Sequence, residues 1–165
     1  MVDPIYGQVK AGKSALIGNA GEYFVLAELL RRGIVAALAP RNMADYDILA
    51  VDDTRSVKIR VKTKTAAADS FVWNAKADGE TIFRGTGGND ISILVDLDTP
   101  DSRPLYYGLR TSDLDMELKK GYNEWLAAPG RGGGKRGETR VRRLFPSWKG
   151  WSESEAWHEG EPHGS

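Results

Sequence analysis

The sequence predicts an α/β fold in which a mixed β-sheet is flanked by helices. Two patterns predict it: an amphipathic helix pattern over residues 14–32, and a series of short apolar runs that follow it up to residue 109. A second helix pattern comes directly after those runs. Packing helices against the faces of one sheet is a stable way to bury both kinds of apolar surface.

The composition is that of a globular protein, and it excludes several kinds of site. The 165 residues suit one domain and include no cysteine, which excludes disulfides, thiolate metal sites and cysteine nucleophiles. No run approaches the roughly 20 apolar residues that cross a bilayer. The N-terminus also lacks the apolar core of a signal peptide. We therefore expect a cytoplasmic protein that does not contact a membrane.

The first helix is predicted from apolar residues at spacings of three and four, which place them on one helix face. Ser14 can cap its start, and Gly33 can end it. We expect the apolar face to be buried against the sheet. Its members are Leu16, Ile17, Ala20, Tyr23, Phe24, Ala27 and Leu30.

Three strands are predicted next, over residues 34–38, 46–51 and 57–63. The turn at residues 52–55 joins the last two as a hairpin. The third strand alternates cleanly, so its apolar residues face one way and its cations the other. The cations of this stripe are Lys58, Arg60, Lys62 and Lys64.

The remaining predicted elements are three strands, a helix and a loop. Residues 71–73, 91–97 and 104–109 are predicted strands, a helix follows over residues 111–120, and residues 129–143 are predicted to be a Gly-rich basic loop. We therefore divide the chain into a flexible segment (1–13), a core domain (14–126), a basic C-terminal element (127–146) and an acidic Trp-containing tail (147–165).

Residues 7–14 fit the phosphate-loop pattern G-x-x-x-x-G-K-S. Such a loop must follow a buried strand, and only the hexapeptide MVDPIY, with its Pro4, precedes it. Residues 91–96 could supply the strand that ends in a magnesium-orienting aspartate. A nucleotide-binding phosphate loop is therefore the last-ranked interpretation, behind a flexible segment whose Ser14 caps a helix.

Three polar residues from separate elements form a more informative set: Glu22 on the helix, Asp47 on the second strand and Lys62 on the third. Two carboxylates and a lysine are what metal-assisted phosphodiester hydrolysis requires. The carboxylates hold a hard cation such as Mg²⁺, and the lysine stabilises charge on the phosphate. The alternatives are an exposed helix glutamate at position 22 and a salt bridge between Asp47 and Arg60 or Lys62.

These residues lie in segments that resemble a known superfamily. GNAGE at 18–22, YDIL at 46–49 and IRVKT at 59–63 are similar, in order and spacing, to the motifs of the PD-(D/E)XK nuclease-like proteins. The branch in which the third strand reads IQVKT is the most similar. The resemblance covers about residues 15–110 and implies a restriction-endonuclease-like fold and a nuclease that uses Mg²⁺ or Mn²⁺.

By this resemblance Glu22 matches the helix glutamate, Asp47 the metal-binding aspartate and Lys62 the active-site lysine. The departure is Arg60, where the family has Asp, Glu or Gln. A guanidinium offers only hydrogen-bond donors, so it cannot ligate the metal and should repel it. The carbonyl of Val61 could still contribute an oxygen.

The net charge of zero hides an uneven distribution that suits a nucleic-acid partner, in the first instance DNA. Residues 55–64 hold five cations and no acid, and residues 130–143 carry six cations against one glutamate. The alternative for both segments is a solvated basic surface. Besides Lys58 and Lys64, the predicted phosphate contacts are Arg131, Lys135, Arg136, Arg140, Arg142 and Arg143.

Two functional interpretations follow. The first is a Mg²⁺-dependent DNA endonuclease, and the second is a catalytically inactive nuclease-fold module that binds nucleic acid or a partner protein in a phage, plasmid or defence setting. Since superfamily members that cut both strands often act as pairs, the first interpretation also implies a homodimer.

Overall fold

The structure is a computed structural model of the chain, and it describes residues 13–40, 45–51 and 53–147. Two helices and seven strands form in the order α1 (Lys13–Arg31), β1 (Val35–Leu38), β2 (Ile48–Val51), β3 (Ser56–Lys64), β4 (Phe71–Asn74), β5 (Ile91–Asp96), β6 (Leu105–Arg110), α2 (Thr111–Ala127) and β7 (Val141–Leu144). Neither helix is long and apolar enough to span a bilayer within this described part.

A five-stranded mixed sheet has the strand order β1-β2-β3-β5-β6. The pairs β1–β2, β2–β3 and β5–β6 are antiparallel, whereas β3 and β5 run parallel in the middle. Strand β5 reads ISILVD and is buried along most of its length, as expected of a central strand covered on both faces. This mixed sheet flanked by helices confirms the predicted fold class.

Two apolar clusters cover the two faces of the sheet. On one face, Val25 and Leu29 of α1 pack against Ile48, Ile59 and Ile93 of the sheet. The second cluster includes Leu94 and Leu109 of the sheet, helix α2 and the small β4–β7 sheet. Because side chains alternate along a strand, β3 gives its apolar residues to the α1 face and its four cations to the α2 face.

The predicted buried face of α1 is wrong. Its buried residues are Gly21, Val25 and Leu29, whereas Leu16, Tyr23, Phe24 and Leu30 are between 44% and 58% exposed. Apolar side chains surround much of this helix, so their spacing alone does not select the face. The contact surface is selected by Gly21, because the missing side chain allows the helix backbone to approach β3.

The ends of the helices also differ from the predictions. Ser14 lies inside α1 and therefore does not cap its start, whereas Gly33 ends the helix as predicted, with a φ of 79°. Helix α2 continues past residue 120 to Ala127. Residues 141–143, which we predicted to belong to a loop, form β7 together with Leu144 and pair with β4, because alternate residues of VRRL are buried.

A Gly21→Ala substitution should destabilise the protein by about 2–3 kcal/mol, as overpacking of a close contact does. A Cβ atom at position 21 would lie 1.8 Å from Thr63 Oγ1 and 2.9 Å from Thr63 Cβ and Cγ2. Helix α1 would therefore have to move away from β3. Urea-induced unfolding measures the loss.

Gly18→Ala is the matched control on the same helix. A Cβ atom there meets nothing within 4 Å, so this change should stabilise the helix by about 0.5–1 kcal/mol. Adding Thr63→Ala to Gly21→Ala removes the hydroxyl and Cγ2 from the clash and should restore part of the stability. Equal effects of the two glycine substitutions would contradict the close contact.

Candidate functional site

A pocket of about 290 Å³ opens where the end of β1 meets the middle of α1 and the residue that precedes β2. It is open enough to hold several water molecules beside its polar side chains. The structure therefore brings together both carboxylates that the sequence selected. The pocket is lined by Asn19, Glu22, Tyr23, Leu38, Ala39, Pro40, Tyr46 and Asp47.

Asp47 is fixed by the backbone of the neighbouring strands. Its Oδ2 accepts a hydrogen bond from the Val61 N–H at 2.7 Å, and its own N–H donates to the Ile59 carbonyl at 2.9 Å. Within the described chain no cation lies at ion-pair distance from this carboxylate. The salt bridge to Arg60 or Lys62 that we considered from the sequence does not form.

The Asp47 carboxylate lies in an environment that disfavours its charge. Burial raises its pKa above the ordinary value of 3.8, although the Val61 hydrogen bond and the charges of Arg60 and Lys62 all act to lower it. A desolvated carboxylate without an ion-pair partner is typical of functional sites rather than of sites selected for stability. A cation bound in the pocket would stabilise the charged form.

Lys62 shares this environment on β3. Burial lowers the pKa of its ammonium group, and the charge of Asp47 acts in the opposite direction. Its Nζ lies 5.6 Å from the centroid of the Trp73 ring, and the cation–π attraction helps to hold the side chain in place. The sequence pattern selected Lys62 but gave no indication of Trp73, which approaches from β4.

Arg60 projects from the same face of β3, but its guanidinium is bound elsewhere. Nη1 forms an ion pair of 2.9 Å with Asp90 Oδ2, and Nη2 donates to the Arg84 carbonyl at 2.7 Å. The side chains of Arg60 and Asp90 are only 12% and 8% exposed. Arg60 therefore contributes positive charge near Asp47 without filling the space beside its carboxylate.

Two carboxylates of the pocket, Glu22 and Asp47, are the side chains that could hold a metal ion there. No group of three His, Cys, Asp or Glu residues that could hold a metal occurs in the parts of the chain that the structure describes. Asp47 and Glu22 are the carboxylates that line the pocket. Because Mg²⁺ keeps several waters and is often bound by one or two carboxylates together with substrate phosphates, this donor set suits it.

The other cations of the β3 stripe differ in how accessible their charges are. Lys58 is half-buried, with its Nζ 5.6 Å from the Tyr46 ring centroid. Lys64 is 8% exposed and forms an ion pair with Asp96 of β5. Its ammonium group is therefore neutralised inside the protein and is not available to a phosphate.

The basic segment after α2 contains both exposed and buried cations. Arg131, Lys135 and Arg140 are exposed. Arg136 lies over the Trp125 ring at 4.9 Å and donates to the Pro129 carbonyl. These four residues present positive charge along a loop that is fixed at one point by an aromatic ring.

The two arginines of β7 have structural contacts. Arg142 is 4% exposed, donates to the carbonyls of Thr139, Val141 and Gly79, and lies 3.4 Å from the Tyr122 ring centroid. It connects the β7 region to α2 and to the turn after β4, and we exclude it from the proposed surface. Arg143 is half exposed and lies close to Asp69 and Ser70.

The phosphate-loop interpretation receives no support from the described residues. Residues 7–12 lie outside them, and Lys13 and Ser14 are in the first turn of α1. Asp96, which would have oriented the magnesium ion, forms its ion pair with Lys64 and accepts a hydrogen bond from the Asp98 N–H.

Arg60→Gln should destabilise the protein by about 3 kcal/mol, because it leaves the buried Asp90 carboxylate without its counter-charge. The double variant Arg60→Gln/Asp90→Asn should recover part of this loss. Arg84→Gln is the control, since only the backbone carbonyl of Arg84 bonds to Arg60. Urea-induced unfolding measures the free energy of unfolding of all three variants. If Arg60→Gln loses no more stability than Arg84→Gln, the ion pair does not have the stabilising role given to it here.

Asp47→Asn should raise the melting temperature at pH 7. Folding raises the pKa of this carboxyl group, so its charged form opposes folding. Below the unfolded pKa of about 3.8 the Asp47 carboxyl group does not oppose folding. Its unfavourable contribution to the free energy of folding develops as the pH rises towards the raised pKa of the folded state, and it is complete above that pKa. The gain from Asp47→Asn should therefore shrink as the pH falls towards 4.

Thermal unfolding of both proteins across pH 4–7 checks this expectation, with Asp101→Asn, an exposed turn residue, as the control. A wild-type protein that is the more stable of the two at pH 7 would show that Asp47 is stabilising and would contradict its functional role.

Comparison with known proteins finds similarity only at the level of structure. No protein-family model matches the chain, and no curated protein sequence matches it. A bacterial homing endonuclease is similar over 64% of this chain and 74% of its own, with 16% identity and a TM-score of 0.48. Hjc, a Holliday junction resolvase from Archaeoglobus fulgidus, is similar over 85% of this chain and 91% of its own, with 14% identity and a TM-score of 0.46.

Both similarities concern backbone architecture at low sequence identity, and the chemistry argued for the site rests on this chain's own residues. The sequence predicted a mixed sheet flanked by helices, and the structure has one, with a parallel pair of strands between antiparallel neighbours. The chain therefore has an α/β fold in which helices pack against both faces of a five-stranded mixed sheet.

Proposed function

We propose that this protein binds nucleic acid and hydrolyses its phosphodiester bonds with the help of Mg²⁺. The observation that carries the proposal is the pocket lined by Glu22 and Asp47, with the charge of Lys62 acting on Asp47. The two carboxylates come from helix α1 and from the residue that precedes β2, and half-buried Lys62 on β3 lies near enough for its charge to act on Asp47. Such a set is costly for stability and is characteristic of catalytic sites.

Each residue has a chemical role in this proposal. Asp47 and Glu22 would hold the metal, and the Val61 N–H fixes the orientation of the Asp47 carboxylate. A bound Mg²⁺ supplies Lewis-acid polarisation of the phosphate and a lowered pKa for water. Lys62, positioned against Trp73, donates hydrogen bonds to the phosphate and stabilises its developing charge.

Positive charge that is accessible at the surface would hold the nucleic acid. Lys58 on β3 and the four cations of the loop after α2 form no ion pair with a carboxylate of the described residues. Arg143 pairs with the exposed Asp69 at 3.4 Å, so its charge also stays accessible to solvent. These cations are available to phosphates, and their binding free energy comes largely from counterion release. We propose duplex DNA as the ligand, with Lys58, Arg131, Lys135, Arg136, Arg140 and Arg143 as phosphate contacts.

A specific observation favours a second candidate, a module that binds nucleic acid without cleaving it. Position 60 carries a donor-only side chain that is already bound to Asp90, and only two carboxylates line the pocket. Loss of one oxygen ligand weakens a metal site that depends on few ligands. The two candidates share the binding surface and differ in turnover.

Plasmid DNA incubated with Mg²⁺ or Mn²⁺ separates them. We expect divalent-dependent nicking that Asp47→Ala and Lys62→Ala reduce at least ~100-fold, a size consistent with removal of a charge-stabilising group. Asp101→Ala, in an exposed turn, is the control and should retain activity. Cleavage that survives Asp47→Ala would sink the site assignment, and salt-sensitive binding without any cleavage would establish the second candidate.

Binding is tested separately with a labelled duplex at several salt concentrations. Neutralising Arg131, Lys135 and Arg140 to glutamine should weaken binding and reduce the salt slope by about 0.9 for each phosphate that the variant no longer neutralises. Lys119→Gln is the matched control, because this exposed lysine is paired with Asp115 on α2. An unchanged salt slope in the triple variant would remove the basic segment from the interface.

A further inference from the structure

The pocket of Glu22 and Asp47 has a wall that the chemistry of a metal and a phosphate does not use. Of its eight lining residues, two are the carboxylates and five are aromatic or apolar. A phosphate is charged and strongly hydrated, so it gains nothing from contact with apolar side chains. Apolar walls with a few polar groups are typical of pockets that take a flat organic group. The five residues are Tyr23, Leu38, Ala39, Pro40 and Tyr46.

Tyr23 is the residue of this wall that packing explains least. The sequence placed it in the buried face of α1, but it is 58% exposed. Within the part of the chain that the structure describes, its ring contacts no other ring and its hydroxyl forms no hydrogen bond. The next residue, Phe24, is 44% exposed and does not line the pocket. Tyr23 therefore presents an aromatic ring that is accessible to a ligand beside the two carboxylates.

Helix geometry places this ring next to Glu22. Asn19, Glu22 and Tyr23 stand at positions i, i+3 and i+4 of α1, so their side chains are neighbours on the helix surface. The Asn19 amide forms no hydrogen bond with the other described residues, and it can both donate and accept. A nucleobase attached to the reacting phosphate would find a stacking surface on Tyr23 and a polar partner in Asn19.

The pocket also adjoins the surface proposed to bind DNA. The Nζ of Lys58, one of the phosphate contacts, lies 5.6 Å from the centroid of the Tyr46 ring, and Tyr46 lines the pocket. In an intact duplex the bases are paired and stacked inside the helix, away from such a pocket. Taking a base out of the stack costs free energy, and the cost is lowest where the base is already unpaired.

We propose that the pocket takes an unpaired nucleotide, with its base stacked on Tyr23 and its phosphate beside Glu22 and Asp47. This ligand assignment rests on the proposed function and narrows its substrate to a duplex that contains an unpaired nucleotide, such as a bulge. The paired regions on either side contact the cations of the proposed surface. Because every base has a π-face, stacking selects for the unpaired structure and tolerates different base sequences.

Equilibrium binding tests this ligand without requiring hydrolysis. The wild-type protein should bind a duplex with one unpaired adenine at least ~10-fold more tightly than the fully paired duplex, a gain of the size that base–aromatic stacking provides. An abasic nucleotide at the same position should abolish the gain, because it keeps the bulge and removes the base. Fluorescence anisotropy of labelled duplexes measures the affinities. Ca²⁺ replaces Mg²⁺, since carboxylates bind both ions, and a denaturing gel checks that the strands stay intact.

Three variants assign the preference to one ring. Tyr23→Ala should lose the ~10-fold preference and keep its affinity for the paired duplex, whereas Tyr23→Phe retains the ring and should behave as wild type. Phe24→Ala is the matched control, because it removes an exposed aromatic ring from the same helix outside the pocket. Both truncated side chains are exposed, so circular dichroism should show an unchanged fold.

The outcomes distinguish this ligand from the proposed hydrolysis. Equal wild-type affinities for the paired and bulged duplexes would overturn the unpaired nucleotide even if plasmid DNA is cleaved. A preference that survives Tyr23→Ala or the abasic nucleotide, or that Phe24→Ala removes equally, would also overturn it. A preference that depends on Tyr23, in a protein that cleaves nothing with Mg²⁺ or Mn²⁺, would uphold the unpaired nucleotide and refute hydrolysis.

Discussion

The four cations on one face of β3 are the constraint on which the structure of that side of the sheet depends. Charged side chains on an inner strand must be paired or kept partly hydrated, because burial without compensation is costly. Arg60 and Lys64 are paired with Asp90 and Asp96, which begin and end the neighbouring strand segment. Each of these aspartates thus supplies the counter-charge for one cation of β3.

Aromatic rings also contact these cations. Each member of the stripe lies 5.6–5.8 Å from a ring: Lys58 with Tyr46, Arg60 with Phe83, Lys62 with Trp73 and Lys64 with Phe71. The rings come from three different stretches of chain, so the stripe also connects the large sheet to β4 and to the loop after it. Lys62 differs from Arg60 and Lys64 because it has no carboxylate ion-pair partner among the described residues. Its charge therefore acts on Asp47 in the pocket.

Sequence periodicity predicted the sheet well because β3 alternates without interruption and the hairpin turn fixes its partner. The set Glu22, Asp47 and Lys62 could also be selected, since each lies in a recognisable segment and their elements were correctly ordered. The buried face of α1 could not be predicted from the sequence. It depends on how closely Gly21 approaches Thr63, a contact between residues 42 positions apart. The role of Asp90 could not be predicted either, because its ion pair with Arg60 joins residues 30 positions apart in the sequence and no local pattern indicates it.

The ion pair between Arg60 and Asp90 also limits the routes by which this sequence can change. Replacing either residue alone leaves a buried charge unmatched, so each first step towards an oxygen ligand at position 60 passes through a less stable protein. The two positions are therefore expected to vary together among descendants of this chain, and an acid at position 60 should be accompanied by a neutral residue at position 90. A stabilising change elsewhere, such as Gly18→Ala, would offset the stability lost in the single variant through which the double replacement must pass.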